Sequence, residues 1–452
     1  MLACAYQLCR ETNGVGVMGL IMLGAALFLP IILLQIAKLP VYMLALYVAL
    51  VPFNDLLPNN GGTTITKLLA IIAGGLLILS MIRVNRVVKA PRSLFAALLF
   101  ITYAGASIFW AIDQSTALQA YQMVLSLALL FAVISVYPAT LSDFKIVLFA
   151  SIVGALAVAV YGIYSYETMG GAQVFDTSRL VVGNSAGHVL DPNYYATALL
   201  VPIAVALVMF LRSNSVLIKG MWLAVGGTLF AGVVLSGSRG AVIAFAAMVI
   251  FLLWRLPYRK QLSAIVLAAL SGVLASSAGS RFMNSDVANG DLRTDIWKIG
   301  LASLKQYWFA GAGIGNFNNA FVQYFLSVQH QPVQWDRAAH STLVQSLVEY
   351  GVVGFVVVIA LWYAVFSDLA YVRADRRVQD MCMALRAGIV GYFVAGISLD
   401  MMHLKFTWLA FELVILLRAA LITAGVSVDP PPKKPRRKPP EPAESLRAAP
   451  VA

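Results

Sequence analysis

A chain of 452 residues with only 12 % charged side chains and a mean hydropathy of +0.83 cannot cover itself with polar surface, since soluble domains carry about 25 % charged residues. Lipid must be much of its solvent, which excludes a soluble enzyme, and long apolar runs without period-two alternation exclude a transmembrane barrel. The formal charge of +12 would point to nucleic acid on a soluble protein, but here much of it follows from the Lys/Arg bias of cytoplasmic loops.

The hydrocarbon core is about 30 Å thick, so about 20 apolar residues in a helix cross it. In chain order, apolar runs bounded by charges or turn residues predict spans near 15–36, 40–53, 65–82, 93–112, 117–137, 146–165, 193–211, 221–236, 240–256, 262–277, 346–366, 382–399 and 404–422. Only Lys38-Leu39-Pro40 separates the first two, so the count is 12 or 13. The first ten residues lack a basic region leading into a short apolar stretch, so no cleavable signal peptide is expected and the first span is retained. Cys4, Cys9 and Cys382 have neither zinc nor disulfide spacing and are read as structural or incidental. The expected fold is an all-α integral membrane protein of about 12 transmembrane helices over 1–428.

Basic loops orient it. Arg83, Arg86, Lys89 and Arg92 cluster between two spans, as do Arg255, Arg259 and Lys260, and again Arg373, Arg376 and Arg377. Placing these and the run Lys433–Lys438 in the cytoplasm satisfies the alternation across every span from 65 to 422. The segments 166–192 and 278–345 then lie outside, with the turns near 113, 237 and 401. The tail 429–452, rich in Pro, Lys, Arg and Ala, cannot bury a core and is read as disordered. It serves as a topology anchor, the favoured reading, or is drawn to anionic lipid.

The outer segment 278–345 is too long for a plain connection. Within it, Ile296, Ile299, Leu301, Leu304 and Trp308 fall at near-helical spacing, predicting an amphipathic helix over 291–308 suited to lying on the membrane or capping a cavity. Gly311-Ala312-Gly313-Ile314-Gly315 ends it as a flexible turn; with no strand before it, it lacks the setting of a phosphate loop. A helix resumes near Thr342, where Thr342 and Gln345 fit a capping box.

Candidate chemistry gathers on this side. His340 stands where the loop meets that helix, and imidazole suits proton transfer near neutral pH. Arg239, in Ser236-Gly237-Ser238-Arg239-Gly240, places a guanidinium against the positive-inside bias; it is either a phosphate ligand or a snorkelling side chain. Arg281, Arg293 and Arg337 are further outward arginines beside Asp286, Asp291, Asp295 and Asp336; they form surface ion pairs or converge on a polyanion, Arg293 being the strongest candidate. Asp191 and Pro192 read as the N-cap and first residue of a helix. Glu349 lies early in a span and must face protein or a cavity. Asp400, His403 and Lys405 occupy the last outer turn, as interface residues or within reach of the same cavity. No His, Asp and Glu set has metal-ligand spacing, so no metal is expected.

These residues together resemble the O-antigen ligase and polymerase superfamily of bacterial envelope proteins, over roughly 180–360. Three pieces carry the resemblance: Ser236-Gly237-Ser238-Arg239-Gly240 before an apolar span; Arg293-x-x-x-Trp297 with Gly311-x-Gly313-x-Gly315-Asn316-Phe317 behind it; and His340-Ser341 leading to Glu349-Tyr350-Gly351-x-x-Gly354. The chain departs from the family at Trp308, where a proline is frequent, and at Ser341, where an asparagine is frequent. The resemblance implies a glycosyltransferase of C-type architecture in the bacterial inner membrane. It would take a glycan from an undecaprenyl diphosphate carrier and, in the ligase branch, pass it to a sugar hydroxyl of lipid A–core, with inversion and without metal or other cofactor. In that reading Arg239 and Arg293 hold the diphosphate and His340 is the base. Asp191, Asn193, Arg281 and Arg337 are further substrate contacts, and Glu349 orients neighbouring groups. The alternatives are a polymerase of the same superfamily, a protein-glycosylating ligase and, from another class, a lipid-linked glycan transporter or flippase.

Overall fold

The structure is a computed structural model that describes residues 40–57, 59–60, 63–169, 180, 182–183, 189–274, 287–329 and 338–430. The expected span 15–36 and the tail beyond residue 430 lie outside them, as do Arg281 and Arg337.

The described chain is a helical bundle. Its first five helices are α1 (Pro40–Leu50), α2 (Ile65–Val84), α3 (Arg92–Ala106), α4 (Gln114–Val136) and α5 (Leu141–Met169). Next come α6 (Pro192–Ala198), α7 (Leu200–Arg212), α8 (Val216–Leu235), α9 (Arg239–Arg255) and α10 (Arg259–Leu274). After these stand α11 (Val287–Tyr307), α12 (Phe317–Gln329), α13 (Thr342–Ser367), α14 (Arg376–Ala395) and α15 (Lys405–Thr423). Short 3-10 turns extend α1 (Val51–Leu56) and α3 (Ser107–Trp110). Two antiparallel pairs of two-residue strands close loops: Asn59–Asn60 with Thr63–Thr64, and Val182–Gly183 with Val189–Leu190. Among the described residues nine helices are long and apolar enough to cross a membrane, which makes this a multi-pass membrane protein. The expected spans at 240–256 and 262–277 appear as α9, of 17 residues, somewhat shorter than about 20, and as α10, whose described part runs to Leu274.

Burial sorts the helices. Of α15's apolar window 83 % is buried, against 17 % for α2 and for α8. α15 therefore forms the centre, packed on α4, α5, α13 and α14, while α2 and α8 form the rim. Helix starts follow local chemistry. Asp113 accepts from the Ser115 and Thr116 amides, Asp191 from Asn193 and Tyr194, Ser238 from Ala241, and Asp375 from Val378. Each thereby satisfies an orphan amide of the first turn.

One end of the bundle, here the basic end, gathers Arg83, Arg212 and Arg255 in the last turns of their helices and Arg376 in a first turn, with Arg418 further inside α15. Two of its arginines face carboxylates: Arg212 reaches Asp380 at 3.2 Å, and Arg418 lies 4.0 Å from Asp368 and donates to the Lys89 carbonyl at 3.0 Å, while Ser93 donates to Asp368. Burial still lifts the Asp368 carboxyl to about 6. Arg386 donates to the Phe366 carbonyl and stacks over the Phe366 ring at 4.2 Å.

At the opposite, loop end, α11 and α12 build a small core of their own. Ile296, Ala312, Phe317, Ala320, Phe321, Ala339 and Val348 are its buried members. The α11 helix stands where the apolar spacing put it, but its five apolar positions do not share a face. Ile296, Ile299 and Leu304 join this core, whereas Leu301 and Trp308 are exposed. The reason is the two-residue step from Ile299 to Leu301, which turns the side chain about 200° around the axis.

Candidate functional site

At the loop end, Ser341 caps α13 by accepting from the Val344 amide. The cap is thus one residue earlier than the Thr342 capping box, and Gln345 points instead to Glu349. Thr342 is bound on every side: its amide donates to the Gly396 and Leu399 carbonyls at 2.7 and 2.8 Å. Its hydroxyl donates to Leu399 at 2.7 Å and accepts from the Met401 amide at 2.8 Å. The Ser341 amide donates to Asp400 Oδ1 at 3.0 Å. On the other flank, Trp297 of α11 donates its indole N–H to the Ala339 carbonyl at 2.9 Å.

His340 stands between these pinned residues with φ of 45°. A non-glycine residue held there costs about 1–3 kcal/mol and persists only where the surroundings over-determine it. Here they do, through Trp297 before it and Asp400, Gly396 and Leu399 after it. The imidazole is half-buried at a fixed point of the loop end.

Arg239 is the first residue of α9, behind the tight turn at Gly237 (φ 63°) and the cap Ser238. Its side chain is exposed. The neighbouring Gly240 lies against Ser398: a Cβ there would stand 2.5 Å from the Ser398 hydroxyl. Ser398 belongs to the 396–401 segment that binds Thr342, so the Arg239 turn and His340 are braced by one strip of chain. Packing of α9 along α14 sets that contact. Arg293 lies on α11 one turn before Trp297, on the same face; its helix is described, its side chain is not.

Asp191 is the cap of α6, accepting from Asn193 and Tyr194 at 2.7 and 3.2 Å, and it stays exposed. The helix it starts packs on α8 and α9.

Beneath His340, Glu349 is 1 % exposed, as its place in a span demanded. Its Oε1 accepts from Gln345 at 3.0 Å, and Oε2 has no hydrogen bond and lies 3.9 Å from His403 Nε2. Burial drives the His403 imidazole down to about 4, so it is neutral at physiological pH and forms no salt bridge with Glu349. Lys405 donates to Asn54, to Thr64 at 2.9 Å and to Thr66 at 2.8 Å. Asp400, His403 and Lys405 are therefore built into the floor of this end.

The Gly311–Gly315 run is a turn, as read, but not a free hinge. Residue Gly351, with φ of 63°, breaks α13, and the run docks into the break. Val352 and Val353 amides donate to Trp308 and Phe309 carbonyls, and Ala312 and Gly313 amides to Val348 and Glu349 carbonyls. The Tyr103 hydroxyl donates to the Ala310 and Tyr350 carbonyls. A Cβ on Gly311 would meet the Glu349 carbonyl at 2.3 Å, so only glycine permits this approach. Broken helix at membrane depth is tolerated where protein satisfies the freed backbone, which this turn does.

Residues 224–359 match the family model described as O-antigen ligase. No curated protein matches the chain. The matched stretch runs from within α8 to within α13 and contains Arg239, Arg293, His340 and Glu349; Asp191, Asp400, His403 and Lys405 lie beyond it.

Proposed function

Since the chain belongs to the O-antigen ligase superfamily, we propose that it is a ligase that transfers a glycan from undecaprenyl diphosphate to a sugar hydroxyl of lipid A–core at the periplasmic face of the inner membrane. The observation that carries this reading is the common brace of Arg239 and His340: one exposed guanidinium and one fixed imidazole share the 396–401 strip. The acceptor oxygen bonds to the anomeric carbon as the bond from that carbon to the diphosphate oxygen breaks. The acceptor's proton passes to His340, acting as general base, and the diphosphate leaves with the electron pair. Arg239 and Arg293 stabilise the charge that develops on it, as preorganised cations do in other transfers. Arg281, Arg337, Asp191 and Asn193 are further substrate contacts in this reading. Glu349, buried under α13's first turns, holds Gln345 and faces His403, and so supports the helix that carries His340.

The test is transfer from purified lipid-linked glycan to lipid A–core in detergent, with EDTA present. Activity in the parent protein and its loss in folded His340→Ala and Arg239→Ala variants support the reading; wild-type rates in His340→Ala sink the base assignment. Chain growth from carrier-linked repeats alone would identify a polymerase instead. Glycan transfer without two compartments would exclude a pure transporter.

A further inference from the structure

The exposed face of α11 carries a pattern that the proposed reaction does not use. Lys298, Leu301, Lys305 and Trp308 recur at helical spacing on the side turned away from the loop core. All four are exposed, Leu301 by 42 % and Trp308 by 59 %. Two large apolar groups with two lysines in one stripe are the composition of an interfacial helix. Lysine stems lie along apolar surface while their ammonium groups reach lipid phosphates.

The stripe ends where two lipid-facing surfaces arrive. Trp308 and Phe309 pack edge to face at 5.4 Å. Their carbonyls accept from Val352 and Val353, the first exposed residues of α13 below its break, with Val356 beyond. Beside them, Trp110 donates its indole N–H to the Ala310 carbonyl at 3.2 Å. Trp110 and Phe109, 84 % exposed, finish the span of α3, whose exposed Phe95, Leu98 and Leu99 line the same helix. Four aromatic side chains from two distant segments thus form a collar at the top of two apolar stripes. Amphipathic aromatic rings concentrate at the level of lipid headgroups.

We propose that this collar and the Lys298–Trp308 stripe moor the α11–α12 unit to the phospholipid leaflet at the loop end. Leu301, Trp308, Phe309 and Phe109 enter the acyl boundary, and Lys298 and Lys305 meet headgroup phosphates. The occupant is lipid because the patch continues two spans' lipid faces and carries positive charge suited to phosphates. The mooring is independent of the catalytic reading.

The experiment uses the full chain with Cys4 and Cys9 changed to serine, Cys382 being buried. Nitroxides at Leu301→Cys and at Trp308→Cys are compared with one at Gln306→Cys, on the exposed flank outside the stripe. The protein sits in nanodiscs of phosphatidylethanolamine and phosphatidylglycerol. Labels at 301 and 308 are expected to collide more with oxygen than with an aqueous nickel chelate, and the label at 306 to do the reverse. Equal nickel access at all three positions overturns the mooring. So does exclusion of both colliders from 301 and 308, which means that protein covers the stripe. If Trp308→Cys fails to fold, Phe309→Cys takes its place in the same comparison.

Discussion

At the basic end, Arg212 is paired with Asp380, Arg418 lies near Asp368 and Asp429, and Arg386 is held by a carbonyl and a ring. At the loop end, Arg239 is exposed and has no ion pair among the described residues, Lys405 is held by neutral oxygens, and His403 stays neutral beside Glu349. The difference teaches what each end is for. Charges neutralised within the fold hold helix ends together. An exposed cation, held by the same strip of chain that fixes the His340 backbone, retains its capacity for an anionic ligand. On this account, substitutions at the two ends separate: one set changes rate, the other stability.

The largest expected effect is on rate. His340→Ala should lower kcat by about 10²–10⁴-fold, the usual share of a general base, with the thermal midpoint in detergent nearly unchanged. Arg239→Ala should cost about 10²–10³-fold, as loss of one charge-stabilising donor does. Arg239→Lys should recover only part of it, because an ammonium lacks the planar fork. Unfolding of either variant would break the comparison, since these residues would then serve architecture.

Next is the converse at the basic end. Arg418→Ala leaves Asp368 buried without its cation, and breaking a buried pair costs about 3–5 kcal/mol. A thermal or denaturant scan should show that loss, while the surviving folded protein keeps its kcat. A full-stability Arg418→Ala protein would mean that Asp368 is already neutral in the fold.

Such contrasts also show what the sequence made legible. Hydropathy found the nine spans seen among the described residues because lipid requires long apolar helices, and residue type found caps such as Asp191 because an N-cap bond spans only two or three residues. Arg239 and His340 were visible because each is a polar group at an apolar boundary. The docking of 308–313 into the break at Gly351 was not visible: its bonds join backbone atoms some forty residues apart, and backbone pairing leaves no side-chain signature. The glycines announced a turn and not its partner. Helix α12 was missed although Phe317, Phe321 and Phe325 stack along it, because a three-turn helix in a loop shows little hydropathy contrast. Ser398 carried no signal, since its role is only contact with Gly240.

The ends should also answer acid in opposite directions. His403 is depressed to about 4 from an ordinary 6.5. Its contribution is present above pH 6.5 and is lost as pH falls toward 4, where the unfolded chain binds the proton and the fold resists it. Asp368 is raised to about 6 from 3.8. Its contribution is present below pH 3.8 and is lost as pH rises through 6. Stability measured between pH 4 and 6.5 should therefore fall more steeply toward acid in Asp368→Asn and rise toward acid in His403→Gln. Slopes unchanged in both variants would remove the electrostatic half of the comparison.

The smallest effect sharpens the boundary between the ends. Tyr103 touches no candidate catalytic group, yet its hydroxyl ties the Ala310 and Tyr350 carbonyls across the break in α13. Tyr103→Phe keeps the ring against Trp110 at 6.0 Å between centroids, and Trp110 still donates to Ala310. The Tyr350 carbonyl loses this donor, worth about 1 kcal/mol. Amide exchange should rise in 308–315 and at the start of α13 and stay unchanged at the basic end. A modest fall in kcat at constant KM should accompany it, because the brace on α11 loosens while the exposed guanidinium remains. Exchange that rises equally at both ends would show that the break in α13 is part of the common core, and that the loop end is not a separately held platform.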